Sequence, residues 1–200
     1  MQPFTKYSSV AAPYFFPDVD TDKIIPHVFL RKPLSAGYRN FLFYNLRFTP
    51  EGKTKSFILH EPPFNKAGIL ISGANFGCGS TREGAVYALT DFGFRAVIAP
   101  SFGDIFQANC LQNGLLPVVL AANVVEQLAT YVSANPGATI SIDLEDQSVT
   151  APDGKVYKFP IDASRKEQLL KGLDDIGITL TDSKLIDDFE AAYKKKLAWL

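Results

Sequence analysis

Short, wholly apolar segments alternate with segments of helical spacing through the middle of the chain. This alternation constrains the fold more than any other feature of the sequence. The apolar segments lie at residues 68–72, 96–99 and 116–120, and the helical ones at 83–92, 105–111 and 124–132. Strands that are apolar on both faces are typical of parallel sheets covered by helices. The alternation therefore predicts a parallel α/β layer.

The segments before and after this layer follow other patterns. Residues 3–63 are rich in Pro, Phe, Tyr and Asn, which predicts loops, short helices and one strand at 56–60. Residues 139–159 alternate apolar and polar side chains around a Pro-Asp-Gly turn at 152–154. This second pattern predicts a small antiparallel β meander.

Two helices are predicted to close the chain. The first spans residues 164–174, and the second runs from a capping Thr181 or Asp182 to residue 197. The apolar side of the second helix carries Leu185, Phe189, Ala192, Tyr193 and Leu197. At 200 residues, the chain is predicted to form one domain, residues 1–200, with a C-terminal helical extension at about 160–200.

Charge and cysteine content exclude several functional classes. Twenty basic residues against 21 acidic ones give a net charge of −1, so no strong field attracts nucleic acid or an anionic membrane. The apolar stretches are shorter than a membrane span, and the N-terminal residues predict no signal peptide. Cys78 and Cys110 are too few for a disulfide framework, or for a metal or iron–sulfur site without other ligands. These observations predict a cytoplasmic protein.

A glycine-rich turn at residues 73–84 follows the first apolar segment and opens a helix. In an α/β sheet, ligands bind at this position, beyond the carboxyl ends of the strands. The glycines allow close backbone approach, the free N–H groups of the helix start favour an anion, and Arg82 can hold a carboxylate through two hydrogen bonds. Ser80 and Glu83 also have the spacing of a capping box with Ser80 as N-cap, so the spacing is equally compatible with a purely structural role.

No motif in this turn supplies a base for the Ser80 hydroxyl. A serine can act as an alkoxide without a histidine when several N–H donors and a cation stabilise the anion, and Arg82 is such a cation. The turn matches neither a nucleotide-binding glycine pattern nor the G-x-S-x-G nucleophile elbow.

A second polar segment lies at residues 18–26. It offers Thr21 and Asp22 as site groups and Lys23 as a charge partner, although an Asx-type turn that caps the following residues explains the same acids. The segment lacks the later Gly and Glu of a calcium-binding loop, which disfavours a calcium site.

A third segment, residues 99–110, combines a strand end, a turn and a helix. Ser101 is predicted to cap the helix, and Asn109 is a candidate for a hydrogen bond that stabilises the loops. Cys110 is interpreted as a small buried residue, whereas the position of Cys78 near a helix start is equally compatible with a reactive thiol.

These three segments, in this order, resemble a known family. Residues 20–26 (DTDKIIP), 75–83 (NFGCGSTRE) and 99–106 (APSFGDIF), together with the ending at 173–180, are similar to the small subunits of 3-isopropylmalate dehydratases, in the aconitase superfamily. The resemblance covers nearly the whole chain, from about residue 4 to residue 180.

The resemblance implies a fold, an activity and a partner. The fold is the swivelling β/β/α domain of aconitases. The activity is the isomerisation of 2-isopropylmalate to 3-isopropylmalate by loss and re-addition of water, in leucine biosynthesis. A [4Fe-4S] cluster serves as the Lewis acid, and its cysteines belong to a separate large subunit. The resemblance therefore implies that this chain holds no metal itself and is inactive without that partner.

By position, the resemblance also assigns roles to individual residues. Ser80 matches the catalytic base, and Asp22 matches an active-site aspartate. The implied substrate-binding residues are Thr21, Arg31, Gly79, Thr81 and Arg82, where Arg82 matches the arginine that binds the substrate carboxylate. Arg31 belongs to residues 29–40, where the family has a mobile substrate-recognition loop.

One position departs from the family pattern. A histidine usually follows the Arg-Glu pair, and this chain has Gly84 there. One alternative is therefore the small subunit of a related dehydratase for another malate derivative, such as citramalate or dimethylmalate. A stand-alone anion-binding module built on the glycine-rich turn is the alternative from a different functional class.

Overall fold

A seven-stranded mixed sheet lies at the centre of the computed structural model, which describes residues 1–79 and 81–197. The strands are β1 (Lys6–Tyr14), β2 (Ile69–Ser72), β3 (Ala96–Ala99), β4 (Leu116–Val119), β5 (Thr139–Asp143), β6 (Ser148–Thr150) and β7 (Val156–Lys158). Their order across the sheet is β4-β3-β2-β1-β5-β6-β7.

Helices connect the strands and close the chain. The α-helices of the described ranges are α1 (Thr21–Ile24), α2 (Tyr44–Arg47), α3 (Gly84–Phe92), α4 (Asp104–Gln112), α5 (Ala122–Ala134), α6 (Ala163–Lys171), α7 (Asp175–Thr181) and α8 (Ser183–Lys196). Short 3-10 helices lie at His27–Phe29, Leu34–Ala36, Tyr38–Asn40, Ile58–His60 and Phe64–Lys66.

The parallel half of the sheet confirms the predicted α/β layer. Strands β1 to β4 run parallel, and every residue of β2 and β3 is buried. Helices α3, α4 and α5 follow β2, β3 and β4 in turn, and α5 packs against β1, β2 and β3. Helices therefore cover the apolar strands, as the continuous apolar runs require.

The first strand is the main element that the sequence does not reveal. β1 lies in the middle of the sheet, parallel to β2 on one side and antiparallel to β5 on the other. The predicted strand at residues 56–60 is wrong, because that region holds the 3-10 helix Ile58–His60. The serines, alanines and proline of β1 separate its one valine and two tyrosines, so no run of strand-forming residues marks it. Its pairing on both sides, rather than its own composition, determines its conformation.

The antiparallel half confirms the predicted meander. β5 pairs with β6, and β6 pairs with β7, all antiparallel. The alternation in β5 places Ile140 and Ile142 in the core while their neighbours face outward. The family fold that the sequence resembles, a parallel α/β layer extended by a small antiparallel meander, is thus the fold observed.

The C-terminal helices differ in part from the prediction. α6 ends at Lys171, and α7, which the sequence analysis did not predict, precedes α8. No described residue of α7 or α8 is buried, and Leu185 and Phe189 on the predicted apolar side of α8 are 68% and 67% exposed. Within the described ranges, none of the helices combines the length and apolar character needed to cross a bilayer.

Candidate active site at the carboxyl edge of the sheet

The three polar segments meet at one edge of the sheet. They follow the carboxyl ends of β1, β2 and β3, which are adjacent and parallel, so these ends share an edge. The backbone N–H of Gly77 donates to the carbonyl of Val19 at 2.7 Å, and the N–H of Thr21 donates to the carbonyl of Cys78 at 3.0 Å. The glycine-rich turn is therefore joined to the acidic segment by hydrogen bonds that continue the sheet pairing.

The third segment is attached to the same turn. The N–H of Phe76 donates to the carbonyl of Ser101 at 3.1 Å, and the N–H of Gly103 donates to the carbonyl of Phe76 at 2.9 Å. The Ser101 hydroxyl accepts from the N–H of Asn75 at 2.8 Å. The prediction that Ser101 caps the next helix is therefore wrong. Helix α4 begins at Asp104, and Gly103 occupies the N-cap position.

Asp22 and Arg82 form an ion pair at the centre of this edge. An Arg82 Nη1–H donates to Oδ1 of Asp22, and the side chains are 27% and 53% exposed, respectively. This hydrogen bond is the main reason why the pKa of Asp22 lies below its ordinary value. Nδ1 of His27 lies 3.8 Å from the same carboxylate oxygen. Two residues that the sequence placed 60 positions apart are thus in direct contact, and the guanidinium keeps further donors for a ligand.

His27 is a neighbour of this pair that the sequence analysis missed. Its sequence signal is weak, because only the turn between α1 and the 3-10 helix His27–Phe29 brings the imidazole back to Asp22. Asp20 has the capping role proposed for an Asx-type turn, since its Oδ1 accepts from the N–H of Lys23 at 2.7 Å. The Lys23 ammonium donates to the carbonyl of Asp18 at 2.8 Å, whereas the Asp22 carboxylate has Arg82 and His27 as its charged neighbours.

The other predicted site residues occupy different environments. Gly79 is exposed and has a φ of +97°, which favours glycine, and Thr81 is exposed beside it. Nδ2 of Asn109 donates to the Thr81 carbonyl at 3.2 Å, which confirms Asn109 as a loop-stabilising residue. Ser80, the predicted base, lies outside the described residues.

Thr21 and Arg31 differ in their exposure to solvent. Thr21 is only 1% exposed, so its side chain belongs to the interior rather than to the surface that carries Asp22. Arg31 is exposed and follows Leu30 in the loop after the 3-10 helix His27–Phe29. The structure therefore brings Asp22, Arg82 and the backbone of Thr21 together and leaves the Arg31 side chain in solvent.

The start of α3 differs from the predicted capping box. The helix begins at Gly84 with Glu83 in the N-cap position, and the Glu83 side chain forms no capping hydrogen bond there. The Glu83 carboxylate instead accepts from the Tyr87 hydroxyl, which raises the pKa of Tyr87 to about 12. Glu83 is therefore not the third helical residue that the capping box requires, and Ser80, the predicted cap, lies outside the described residues.

The surroundings of both cysteines disfavour the thiolate form. Burial, with the carboxylates of Asp20 and Asp18 nearby, raises the pKa of Cys78, and burial raises that of Cys110 further. In the described part of the chain, no three His, Cys, Asp or Glu side chains lie together as metal ligands. These residues do not fit a [4Fe-4S] cluster, which needs more thiolates than two cysteines supply.

Comparisons with known proteins identify the family. A family model for the aconitase C-terminal domain matches residues 1–123, and a second model, described as LeuD_N, matches residues 126–163. The chain is 48% identical to a 3-isopropylmalate dehydratase small subunit of Phenylobacterium zucineum, over 100% of this chain and 98% of the relative. A protein of the same name from Leptospira interrogans is also 48% identical, with the same two coverages.

A relative and a solved structure agree with these matches. The 3-isopropylmalate dehydratase small subunit of Rhodospirillum rubrum is 46% identical over 100% of this chain and 97% of its own length. The crystal structure of a 3-isopropylmalate dehydratase, leuD, from Methanocaldococcus jannaschii superposes with a TM-score of 0.64 at 27% identity. It covers 92% of this chain and 99% of that one. The chain therefore belongs to the family of 3-isopropylmalate dehydratase small subunits.

Proposed function

We propose that this chain is the small subunit of an enzyme that converts 2-isopropylmalate to 3-isopropylmalate by dehydration and rehydration, in leucine biosynthesis. The observation that carries the proposal is full-length similarity, at 46–48% identity, to proteins named as that subunit. The ion pair between Asp22 and Arg82, close to the start of α3, supports it, because a guanidinium near a helix start suits a carboxylate ligand.

Arg82 is the group we assign to a substrate carboxylate. Its side chain is 27% exposed and already oriented by Asp22, so little side-chain entropy is lost when a second anion binds. The guanidinium presents five N–H donors in a plane, which allows one edge to hold Asp22 and another to hold the ligand. Asp22 then positions the Arg82 guanidinium and also neutralises part of its positive charge.

Ser80 is the group we assign to proton transfer, on the resemblance to the family. Its hydroxyl oxygen, as the alkoxide, takes a proton from the substrate carbon that carries hydrogen. The electron pair of that C–H bond forms the C=C bond, and the hydroxyl leaves the neighbouring carbon. Water then adds back with its hydroxyl on the other carbon, so the overall reaction is an isomerisation. The hydrogen bond from Asn109 to the Thr81 carbonyl would hold the residue next to Ser80 in place during this step.

The partner and the compartment are parts of the same proposal. A large subunit would carry the [4Fe-4S] cluster, which supplies Lewis-acid chemistry to the substrate hydroxyl. This chain would contribute only substrate binding and proton transfer at the edge described above. We further propose that the chain is one domain with a C-terminal helical extension, and that the enzyme acts in the cytoplasm.

The experiment combines this chain with the large subunit from the same source under anaerobic conditions. Formation of the unsaturated intermediate from 3-isopropylmalate is followed by ultraviolet absorbance, with citramalate and dimethylmalate in parallel. We expect turnover of 3-isopropylmalate only when both chains are present. A stable complex that prefers another malate would contradict the substrate assignment, and turnover by the large subunit alone would contradict the need for this chain.

A serine variant tests the assignment of the base. Ser80→Ala is expected to lower kcat by several orders of magnitude while the complex still assembles. Ser133→Ala is the matched control, because Ser133 lies near the end of α5, where its hydroxyl donates to the carbonyl of Ala129 at 2.8 Å. Equal activity of the two variants would show that Ser80 is not the base.

A further inference from the structure

The loop that carries Leu30 and Tyr38 packs directly on Gly84, the first residue of α3. Gly84 is buried, and a Cβ atom there would lie 2.6 Å from Cδ2 of Leu30 and 3.5 Å from Cε1 of Tyr38. The backbone of Gly84 is not in the left-handed region, so its conformation does not require glycine. The lack of a side chain serves the packing instead, because it leaves the space that Leu30 occupies.

Further contacts hold the rest of this loop against α3. The backbone N–H of Arg39 donates to Oδ2 of Asp91 at 2.9 Å. The rings of Tyr38 and Tyr87 meet edge to face with centroids 6.0 Å apart, and the Tyr38 hydroxyl donates to the carbonyl of Lys32 at 3.0 Å. The loop therefore has a defined contact surface on α3. Gly84 forms the end of this surface that is nearest in sequence to Arg82.

The segment from His27 to Leu30 connects this contact surface to the ion pair of Asp22 with Arg82. His27 lies 3.8 Å from the Asp22 carboxylate, and Leu30, three residues later, lies over Gly84. Gly84 itself is two residues after Arg82. The half-buried Leu30 side chain thus contacts the backbone position that lies two residues after the carboxylate-binding candidate Arg82.

We propose that Gly84 is a positioning residue that sets substrate selectivity through Leu30. With no side chain at position 84, Leu30 sits low on the first turn of α3 and leaves room beside Arg82 for a branched alkyl substituent of a malate. A Cβ at this position displaces Leu30 outward, because the 2.6 Å approach is too short for two carbon atoms. The inference rests on the proposed function, since it concerns the alkyl group of that substrate.

The test compares Gly84→Ala, Leu30→Ala and the double variant in the assembled two-subunit enzyme. We expect Gly84→Ala to raise KM for 3-isopropylmalate about tenfold relative to citramalate, with kcat changed by less than about twofold. In the Leu30→Ala background, Gly84→Ala should change KM by less than about twofold, because the displaced side chain is absent. Leu34→Ala, in the same loop but 64% exposed, is the control and should not cancel the effect of Gly84→Ala.

Limited trypsin digestion of the same complexes gives a readout that is independent of catalysis. Cleavage after the exposed Arg31 is expected to accelerate in Gly84→Ala and to return toward the parental rate in the double variant. Unchanged selectivity in Gly84→Ala, or the same KM effect with and without Leu30, would overturn the inference. A parental complex that does not turn over 3-isopropylmalate would instead overturn the proposed function, and the inference with it.

Discussion

Gly77 is the position where one methyl group should damage the site most through packing. Its φ is +74°, and a Cβ there would lie 2.2 Å from Cγ of the Phe106 ring. Phe106 is 1% exposed and packs edge to face on Phe76, with ring centroids 5.4 Å apart, so the ring has little room to withdraw. Gly77→Ala therefore combines two unfavourable effects, a strained backbone and an overpacked ring.

The magnitude follows from separating these two effects. A non-glycine residue in the left-handed region costs roughly 1–2 kcal/mol. Overpacking a filled core costs a further 1–3 kcal/mol or so, which brings the expected loss to about 2–5 kcal/mol. Gly154→Ala is the matched control, because Gly154 has a φ of +84° but nothing within 4 Å of its Cβ position. Gly154→Ala should therefore lower the free energy of unfolding only by the cost of the strained backbone, about 1–2 kcal/mol.

Urea unfolding of the two variants measures the difference. With an m-value of about 2 kcal/mol per M, an excess loss of 1–3 kcal/mol separates the two midpoints by roughly 0.5–1.5 M. In a Phe106→Ala background, Gly77→Ala should cost no more than Gly154→Ala, since the ring is gone. Equal losses for Gly77→Ala and Gly154→Ala in the parental chain would refute the reasoning, because the ring contact would then contribute nothing.

Two titration predictions concern the same edge of the sheet. The pKa of Asp22 is lowered by Arg82 from an ordinary value of 3.8, so the pair stabilises the fold at neutral pH and this contribution is lost as the pH falls through the lowered pKa. Asp22→Asn should therefore reduce the free energy of unfolding at pH 7 by less than about 1 kcal/mol, because both side chains are partly exposed, and the difference should shrink in acid. Urea titrations at pH 7 and pH 3 check this, and a difference that grows in acid would contradict it. The raised pKa of Cys78 predicts that iodoacetamide labels the native protein at pH 8 more slowly than the unfolded protein. Cys78→Ser should abolish native labelling, since Cys110 is buried, and a labelling rate that levels off below pH 8 would contradict the prediction.

The strands of the parallel layer were predictable because their signal is local. β2 and β3 are continuous apolar runs that have to be buried on both faces, and each is followed by a helical pattern. The meander was predictable for the same reason, since alternation along β5 reports one buried face. β1 was not predictable, because its polar and small residues become a central strand only through pairing with β2 and β5.

The convergence of the polar segments was predictable only in outline. Parallel strands place their carboxyl ends at one edge, and the sequence analysis located the glycine-rich turn at such an end. The ion pair of Asp22 with Arg82 and the approach of His27 depend on the turn after α1, which carries no sequence signal of its own. The similarity of the three motifs to a known family supplied the functional assignment that their chemistry alone left open.

The start of α3 shows most clearly what each level of description determines. By itself, the sequence determined that a helix follows the glycine-rich turn, because helical spacing is a property of neighbouring residues. Only the tertiary structure decided that the helix begins at Gly84, as Asn109 holds the Thr81 carbonyl and Asp22 holds Arg82 outside the helix. Only the tertiary structure shows, too, why glycine fits there, since Leu30 comes from a loop more than 50 residues earlier. Local propensity specifies an element, but contacts between distant segments determine where it begins and what it presents to a ligand.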